Sequence, residues 1–355
     1  MKKVTVAMPV YNDSAYLRSA INSILSQSFT DFELLIINDG STDNCPEIIR
    51  NYKDPRIRVL THPVNLGRPA SRNDAIKYAQ GEYLLWMDAD DIALPELLAT
   101  QVDFLDSHPE IDISGVNIEY FHGKNNTSNS STNSDYIRAY TLFSPCVLNP
   151  GCCLRLNKIR SLCIGYDNEF LRAEDFVFWF TSQFNHELKI TSIPKILMRY
   201  RYFYRKTNTQ YHELVVKKYI FPFLHLEDND DNIKLHTRIS LDGVSKTCNA
   251  ISPAIVIDWL NIFYHAGIQC LDEATAKEFK KIIFQKIYEA LWYTSTYDII
   301  SNRRKYAFLE KNIFSIFILS FFTIQIKNIK NKISAYPKLK KIIIKIYREL
   351  HSYIK

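Results

Sequence analysis

Through the first quarter of the chain, short apolar runs alternate with longer segments of helical periodicity. Val4-Thr5-Val6-Ala7-Met8 predicts a strand ending at Pro9-Val10-Tyr11-Asn12. Asp13 or Ser14 can cap a helix reaching about Gln27, with Leu17, Ala20, Ile21, Ile24 and Leu25 on one face. Phe32 to Ile37 predicts a second strand, followed by Asn38-Asp39-Gly40-Ser41-Thr42-Asp43 and a polar helix from Pro46 to Tyr52. Ile57 to Leu60 predicts a third, then the turn Asn65-Leu66-Gly67-Arg68-Pro69 and a helix from Ala70 to Ala79. Tyr83 to Met87 predicts a fourth strand, since the apolar run is too short for an ordinary helix. Such alternation predicts a parallel sheet with helices on both faces. Sheets of this kind bind ligands outside the carboxyl ends of their strands. Three unusual polar clusters fall at those ends: Tyr11-Asn12, Asp39-Gly40 and Asp88-Ala89-Asp90.

The third cluster, with Asp91, sets three carboxylates within four positions. Like charges this close repel unless a cation sits among them. In an extended backbone Asp88 and Asp90 point the same way across the small Ala89, which suits one hard divalent ion and leaves room for phosphate oxygens. The alternative is a simple strand-to-helix turn, with Asp91 capping a helix that starts near Pro95. Farther on, Glu174-Asp175 opens the aromatic segment Phe176-Val177-Phe178-Trp179-Phe180. Acids in a first turn complement the helix dipole; alternatively one of them is a carboxylate base walled by aromatics. Lys124 to Asp135 has no apolar residue and predicts a mobile surface loop, either a lid or a tether.

Length and charge then divide the chain. Its 355 residues suggest two domains, or one with an appendage, and 46% hydrophobic against 23% charged residues is ordinary for a globular protein. Seven scattered cysteines without a C-x-x-C pair fit reduced thiols of a cytoplasm. No signal peptide is expected at Met1, because the apolar run to Val10 leads into a strand-turn pattern. The formal charge of +6 is concentrated from Lys327 to Lys355, where nine basic residues face the single acid Glu349. An anionic surface met by one end is therefore expected, and a nucleic-acid groove is not. The reading is a catalytic domain over 1–210, a helical domain over 211–310 and an association segment over 311–355. Ile313 to Ile326 is apolar but shorter than the ~20 residues a spanning helix needs. The basic amphipathic segment after it reads as an in-plane anchor, or as a helix packed on the body with its lysines in water.

Met8-Pro9-Val10-Tyr11-Asn12, Asn38-Asp39-Gly40-Ser41-Thr42-Asp43, Asn65-Leu66-Gly67 with Ala70-Ser71-Arg72-Asn73, Asp88-Ala89-Asp90-Asp91 and Ala173-Glu174-Asp175 together resemble the family 2 glycosyltransferases. That resemblance covers residues 1 to about 210 and implies a GT-A fold, α/β and Rossmann-like, with an inverting reaction. It implies that Pro9 and Tyr11 line a nucleotide base pocket and that Asp39 accepts a hydrogen bond from the base. Arg72 would lie near the donor diphosphate or sugar, Asp88 and Ala89 would contact the donor, and Asp88 and Asp90 would hold Mn²⁺ or Mg²⁺. Asp175 would be the general base, with Glu174 placing the acceptor. Many members carry a His where this chain has Phe203; His212 is a candidate substitute, and Arg201 or Arg205 could reach a phosphate instead. The layout looks like that of lipooligosaccharide, O-antigen and capsule transferases. It implies a UDP-sugar donor (GlcNAc, GalNAc, Gal or Glc), a saccharide or lipid-linked saccharide acceptor, and a cytoplasmic enzyme on the inner face of an anionic membrane. The competing readings are a nucleotidyltransferase acting on sugar phosphates, for which no Gly-rich phosphate loop is found near Met8 to Asp13, and a non-catalytic nucleotide-sugar-binding module.

Overall fold

The computed structural model describes residues 2–123, 126–203 and 209–293. Strand β1 (Lys2–Val10) leads into α1 (Ser14–Leu25), β2 (Phe32–Asn38) into α2 (Cys45–Asn51), and β3 (Ile57–Thr61) into α3 (Arg68–Tyr78). There follow β4 (Gly81–Trp86), β5 (Ile92–Ala93), α4 (Leu97–Ser107), β6 (Ile113–Phe121) and α5 (Ser134–Thr141). The region closes with β7 (Cys153–Arg155), α6 (Leu156–Ser161), α7 (Glu174–Phe184) and β8 (Ile190–Arg201). Among the described residues, the strands join one sheet of order β3-β2-β1-β4-β7-β6-β8-β5. The first four are mutually parallel, as their crossover helices require. Beyond β4 the sheet is mixed, because the three-residue β7 runs against both β4 and β6.

Period-two alternation sorts the core onto the two faces of this sheet. Val4, Val6, Met8 and Val10 of β1 and Leu34 and Ile36 of β2 pack with Leu17, Ile21 and Ile24 of α1 and with Leu98 and Leu105 of α4. The intervening Ala7, Leu35 and Ile37 turn to the other face, against Ala75 and Ile76 of α3, Ile159 of α6 and Phe178 and Trp179 of α7.

The order around β1 positions the site. The chain winds from β1 through β2 to β3 on one side, and β4 then returns to the other side of β1. Such a reversal opens a crevice at the carboxyl ends of the two diverging strands. Register brings those ends level, with Val10 opposite Asn38 and Ala7 opposite Trp86. Just past β2, Gly40 has φ +67°, and a Cβ there would lie 2.4 Å from the Val64 carbonyl carbon. The turn can therefore sit directly on the 64–65 backbone.

The segment expected to be a mobile loop is instead held along the edge of β6 over residues 126–132. Tyr120 N donates to Asn126 O at 2.8 Å, Ser128 N to Ile118 O at 2.9 Å, and Ile118 N to Ser128 Oγ at 2.8 Å. A segment that buries no apolar side chain can still satisfy an open strand edge. Asn133 then caps α5, its side chain accepting from Asp135 N and Tyr136 N.

Among the described residues after β8 the chain is helical, with Asp230–Leu241, Gly243–Ala250, Pro253–Cys270 and Glu273–Trp292 as its longer helices. The described residues fall into two compact units, one of residues 2–243 with Trp259–Ile283 and one of Val244–Asp258 with residues 284–293. Among the described residues no helix is long and apolar enough to cross a membrane. The expected association segment over 311–355 lies outside the described residues.

Candidate active site

A cleft of about 990 Å³ lies at the carboxyl ends of β1, β2 and β4. Pro9, Tyr11, Asp39, Arg72, Asp88, Ala89 and Asp90 all line it. Tyr11, 46% exposed, presents its ring to solvent at the cleft wall, and Ala89 is buried. Sequence reasoning missed Asp13, Arg68, Arg172 and Tyr200, which also line the cleft. Position on the strand-end rim was the available signal for Asp13.

Carboxylate oxygens of Asp88, Asp90 and Asp91 all lie within 4.8 Å of one another. Asp88 and Asp90 are half-buried, whereas Asp91 is 1% exposed. Burial, reinforced by the charges of Asp88 and Asp90, pushes the Asp91 carboxyl up to about 9. One Asp91 oxygen accepts from Arg201 N at 2.7 Å, and the other has no partner. Asp91 is not the helix cap that the simpler reading expected: α4 starts after Glu96, without a side-chain cap. A trio of hard oxygen donors with one buried oxygen unsatisfied fits a divalent cation such as Mg²⁺ or Mn²⁺.

Arg72, 4% exposed although it lies on a polar helix, joins this cluster to α7. Its Nη1 donates to Glu174 Oε1 at 2.6 Å, and its Nη2 lies 3.6 Å from Asp88 Oδ1. With the Asn149 amide oxygen facing it, that amide accepts from Nη2 at 2.9 Å and donates to the Tyr166 hydroxyl at 3.3 Å. The guanidinium also stands 5.3 Å from the Tyr166 ring centroid. Burial disfavours the charge on Arg72, but Tyr166, Glu174, Asp88 and Asp175 outweigh it and raise its pKa. Glu174 is raised by burial, with Arg72 opposing.

Glu174 and Asp175 occupy the first turn of α7, entered through Ala173 in the left-handed region at φ 60°. Neither acid lines the cleft itself. Glu174 lies beneath Arg72, while Asp175 is half-buried and accepts from Phe176 N at 2.9 Å. Its charge acts on Arg72, Glu174, Tyr166 and Cys152.

Asp39 is more heavily engaged than its motif suggested. Oδ1 accepts from Leu66 N at 2.9 Å and meets His62 Nδ1 at 2.7 Å, while Oδ2 accepts from Gly67 N at 2.9 Å. A carboxylate offers about four acceptor positions, so one on Oδ2 is left. His62 is buried and reaches Asp74 Oδ2 at 2.9 Å with its other nitrogen. Burial lowers its pKa, but the two carboxylates prevail and raise it. The sequence reading missed His62; its place just past β3, on the same rim, was the available signal.

His212 does not substitute for the missing family His. Its imidazole is buried against Phe176, with Nε2 3.2 Å from Phe143 O, and burial pushes its pKa down to about 4. Phe203 lines the cleft between Tyr16 and His122, at centroid distances of 5.9 and 5.4 Å. Arg201 Nε donates to the Asp90 carbonyl at 2.9 Å, and its guanidinium stacks 4.1 Å from the Tyr16 ring. Arg205 lies outside the described residues.

The model of the family described as glycosyl transferase family 2 matches residues 5–158. An uncharacterized glycosyltransferase of Methanocaldococcus jannaschii is 32% identical over 206 residues, covering 56% of this chain and 70% of that protein. This chain belongs to glycosyl transferase family 2. Another relative, the Escherichia coli UDP-Glc:α-D-GlcNAc-diphosphoundecaprenol β-1,3-glucosyltransferase WfgD, is 26% identical over 201 residues, covering 56% of this chain and 76% of that one. The GT-A fold expected for the family is shared with S. aureus TarS 1-349 in complex with UDP-GlcNAc, at TM-score 0.55 and 19% identity over 82% of this chain and 91% of that one.

Proposed function

We propose that the protein is a metal-dependent, inverting glycosyltransferase that moves a hexosyl or N-acetylhexosaminyl group from a UDP-sugar to a saccharide or lipid-linked saccharide. The observation that carries this is the carboxylate trio at the switch-point cleft, tied through Arg72 to the first turn of α7. Family membership supports the reaction class, and the name of the E. coli relative gives a UDP-sugar donor and a polyprenyl-diphosphate-linked acceptor.

Pro9 and Tyr11 flank the base, and Asp39 accepts from a base N–H with its remaining Oδ2 position. Asp88 and Asp90, at the cleft surface, would hold the divalent cation. A bound cation of this kind stabilises the negative charge that develops on a departing diphosphate. Arg68 and Arg72 add fixed positive charge on the same wall. Asp175 takes the proton from the attacking acceptor hydroxyl, and Glu174, held by Arg72, orients the turn that carries it. A base on the face opposite the leaving group makes the displacement in-line and inverts the anomeric centre. The association segment over 311–355, with its excess of lysines, keeps the enzyme at the inner face of an anionic membrane, where a lipid-linked acceptor of lipooligosaccharide, O-antigen or capsule assembly is found.

The test is a panel of UDP- and GDP-sugars titrated calorimetrically with and without Mn²⁺ or Mg²⁺, with released nucleotide measured in parallel. One UDP-sugar is expected to bind and be slowly hydrolysed only with metal. Absence of metal-dependent binding across the panel refutes the reading.

A further inference from the structure

A second hollow, an open groove of about 710 Å³, adjoins the cleft and shares Tyr120 and Leu148 with it as common walls. Its chemistry is different. The cleft is lined by aspartates and arginines, whereas among the described residues no acidic, basic or imidazole side chain lines the groove. In their place stand the hydroxyls and amide of residues 128–132 and the rings of Tyr136 and Tyr140.

The fold builds this surface with little freedom. The strap carrying residues 128–132 is tied down by Ser128 to β6, by Ser130 N to Asn117 Oδ1 at 2.9 Å, and by Thr132 O, which accepts from Thr191 Oγ1 at 2.8 Å. The strap then becomes α5, on which positions 136 and 140 share a face, and their rings lie within 21° of parallel at 5.8 Å.

A diphosphate or nucleotide recruits cationic side chains, and none of the described residues lining this groove is cationic. A neutral sugar wants groups that both donate and accept, as hydroxyls and amides do, and flat rings for its C–H faces. We infer that this groove is the acceptor subsite, that it binds an uncharged saccharide against Tyr136 and Tyr140, and that its opening at Tyr120 and Leu148 delivers the terminal hydroxyl to the donor cleft. The inference rests on the transferase reading and adds to it the acceptor's chemistry: neutral sugar units next to the growing end, with any phosphate farther away. A groove built on an anchored strap spends little ordering entropy on binding.

Saturation-transfer NMR on the full chain with UDP and Mn²⁺, using chitotriose, maltotriose and lactose as probes, tests it. At least one neutral probe is expected to bind, and Tyr140→Ala and Asn129→Trp should each weaken it about tenfold while the UDP Kd stays within twofold. Asn129 is exposed, so filling the groove there does not depend on a core residue. Failure of all three probes to bind, or binding that Asn129→Trp leaves unchanged, overturns the inference. UDP-sugar binding by the same sample separates the two readings: if it is present without saccharide binding, only the groove assignment falls, and if it is absent, the transferase reading falls.

Discussion

Arg72 and Glu174 are 102 positions apart, yet they meet at 2.6 Å with side chains 5% and 4% exposed. Replacing Arg72 with Met leaves Glu174 and Asp88 facing each other without their common counter-charge. Removing one member of a buried pair costs about 3–5 kcal/mol. Arg68 Nη1, 3.7 Å from Glu174 and exposed, offsets some of that, so the lower end of the range is expected. Glu174→Gln keeps an acceptor for the guanidinium, which retains Asp88 and Asn149, so losing the charge alone should cost about 1.5–3 kcal/mol. In the double variant the two losses overlap, and urea denaturation of all four proteins should give a coupling energy of about 1.5–3 kcal/mol. Additivity to within about 0.5 kcal/mol would refute the reasoning, since it would mean that solvent screens the pair.

Asp175→Asn should retain UDP binding and lose about 10²–10⁴-fold in kcat; near-normal turnover would remove the base assignment. Asp90→Ala should abolish the metal-dependent part of UDP-sugar affinity, read by calorimetry with and without Mn²⁺, and equal titrations with both proteins would contradict it. His62 has its pKa raised by Asp39 and Asp74 against the effect of burial, so its bridge stabilises fully below the unfolded value of about 6.5 and weakens as pH rises through the folded one. The urea-stability gap between the native protein and His62→Phe should therefore be larger at pH about 5.5 than at about 8.5. A gap independent of pH would show that folding leaves the imidazole's pKa unshifted, and a gap that grows with pH would show that the fold holds it neutral.

Local pattern was enough for the first four strands, the three helices between them, and the rim where Tyr11, Asp39 and Asp88 emerge. These follow from two periodicities and from the rule that parallel strands end on the same side. It also marked the carboxylate trio, because mutual repulsion is a property of neighbours in sequence. What it could not show was which groups pair across distance. Asp91, a cap in the simpler of the two readings, is a buried acceptor for Arg201 N, 110 positions later. His212, offered as a possible substitute ligand or else a surface residue, is neither and packs in the core on Phe176. The polar run from Lys124 to Asp135 was expected to be a mobile loop, and its described residues 126–132 follow an open strand edge, since backbone hydrogen bonds do not depend on side-chain type. Sequence by itself determined the sheet's first half and the location of its chemistry. Tertiary structure alone decided the Arg72 clamp, the His62 bridge and the uncharged groove beside the cleft, because burial and pairing arise only when distant segments exclude water together.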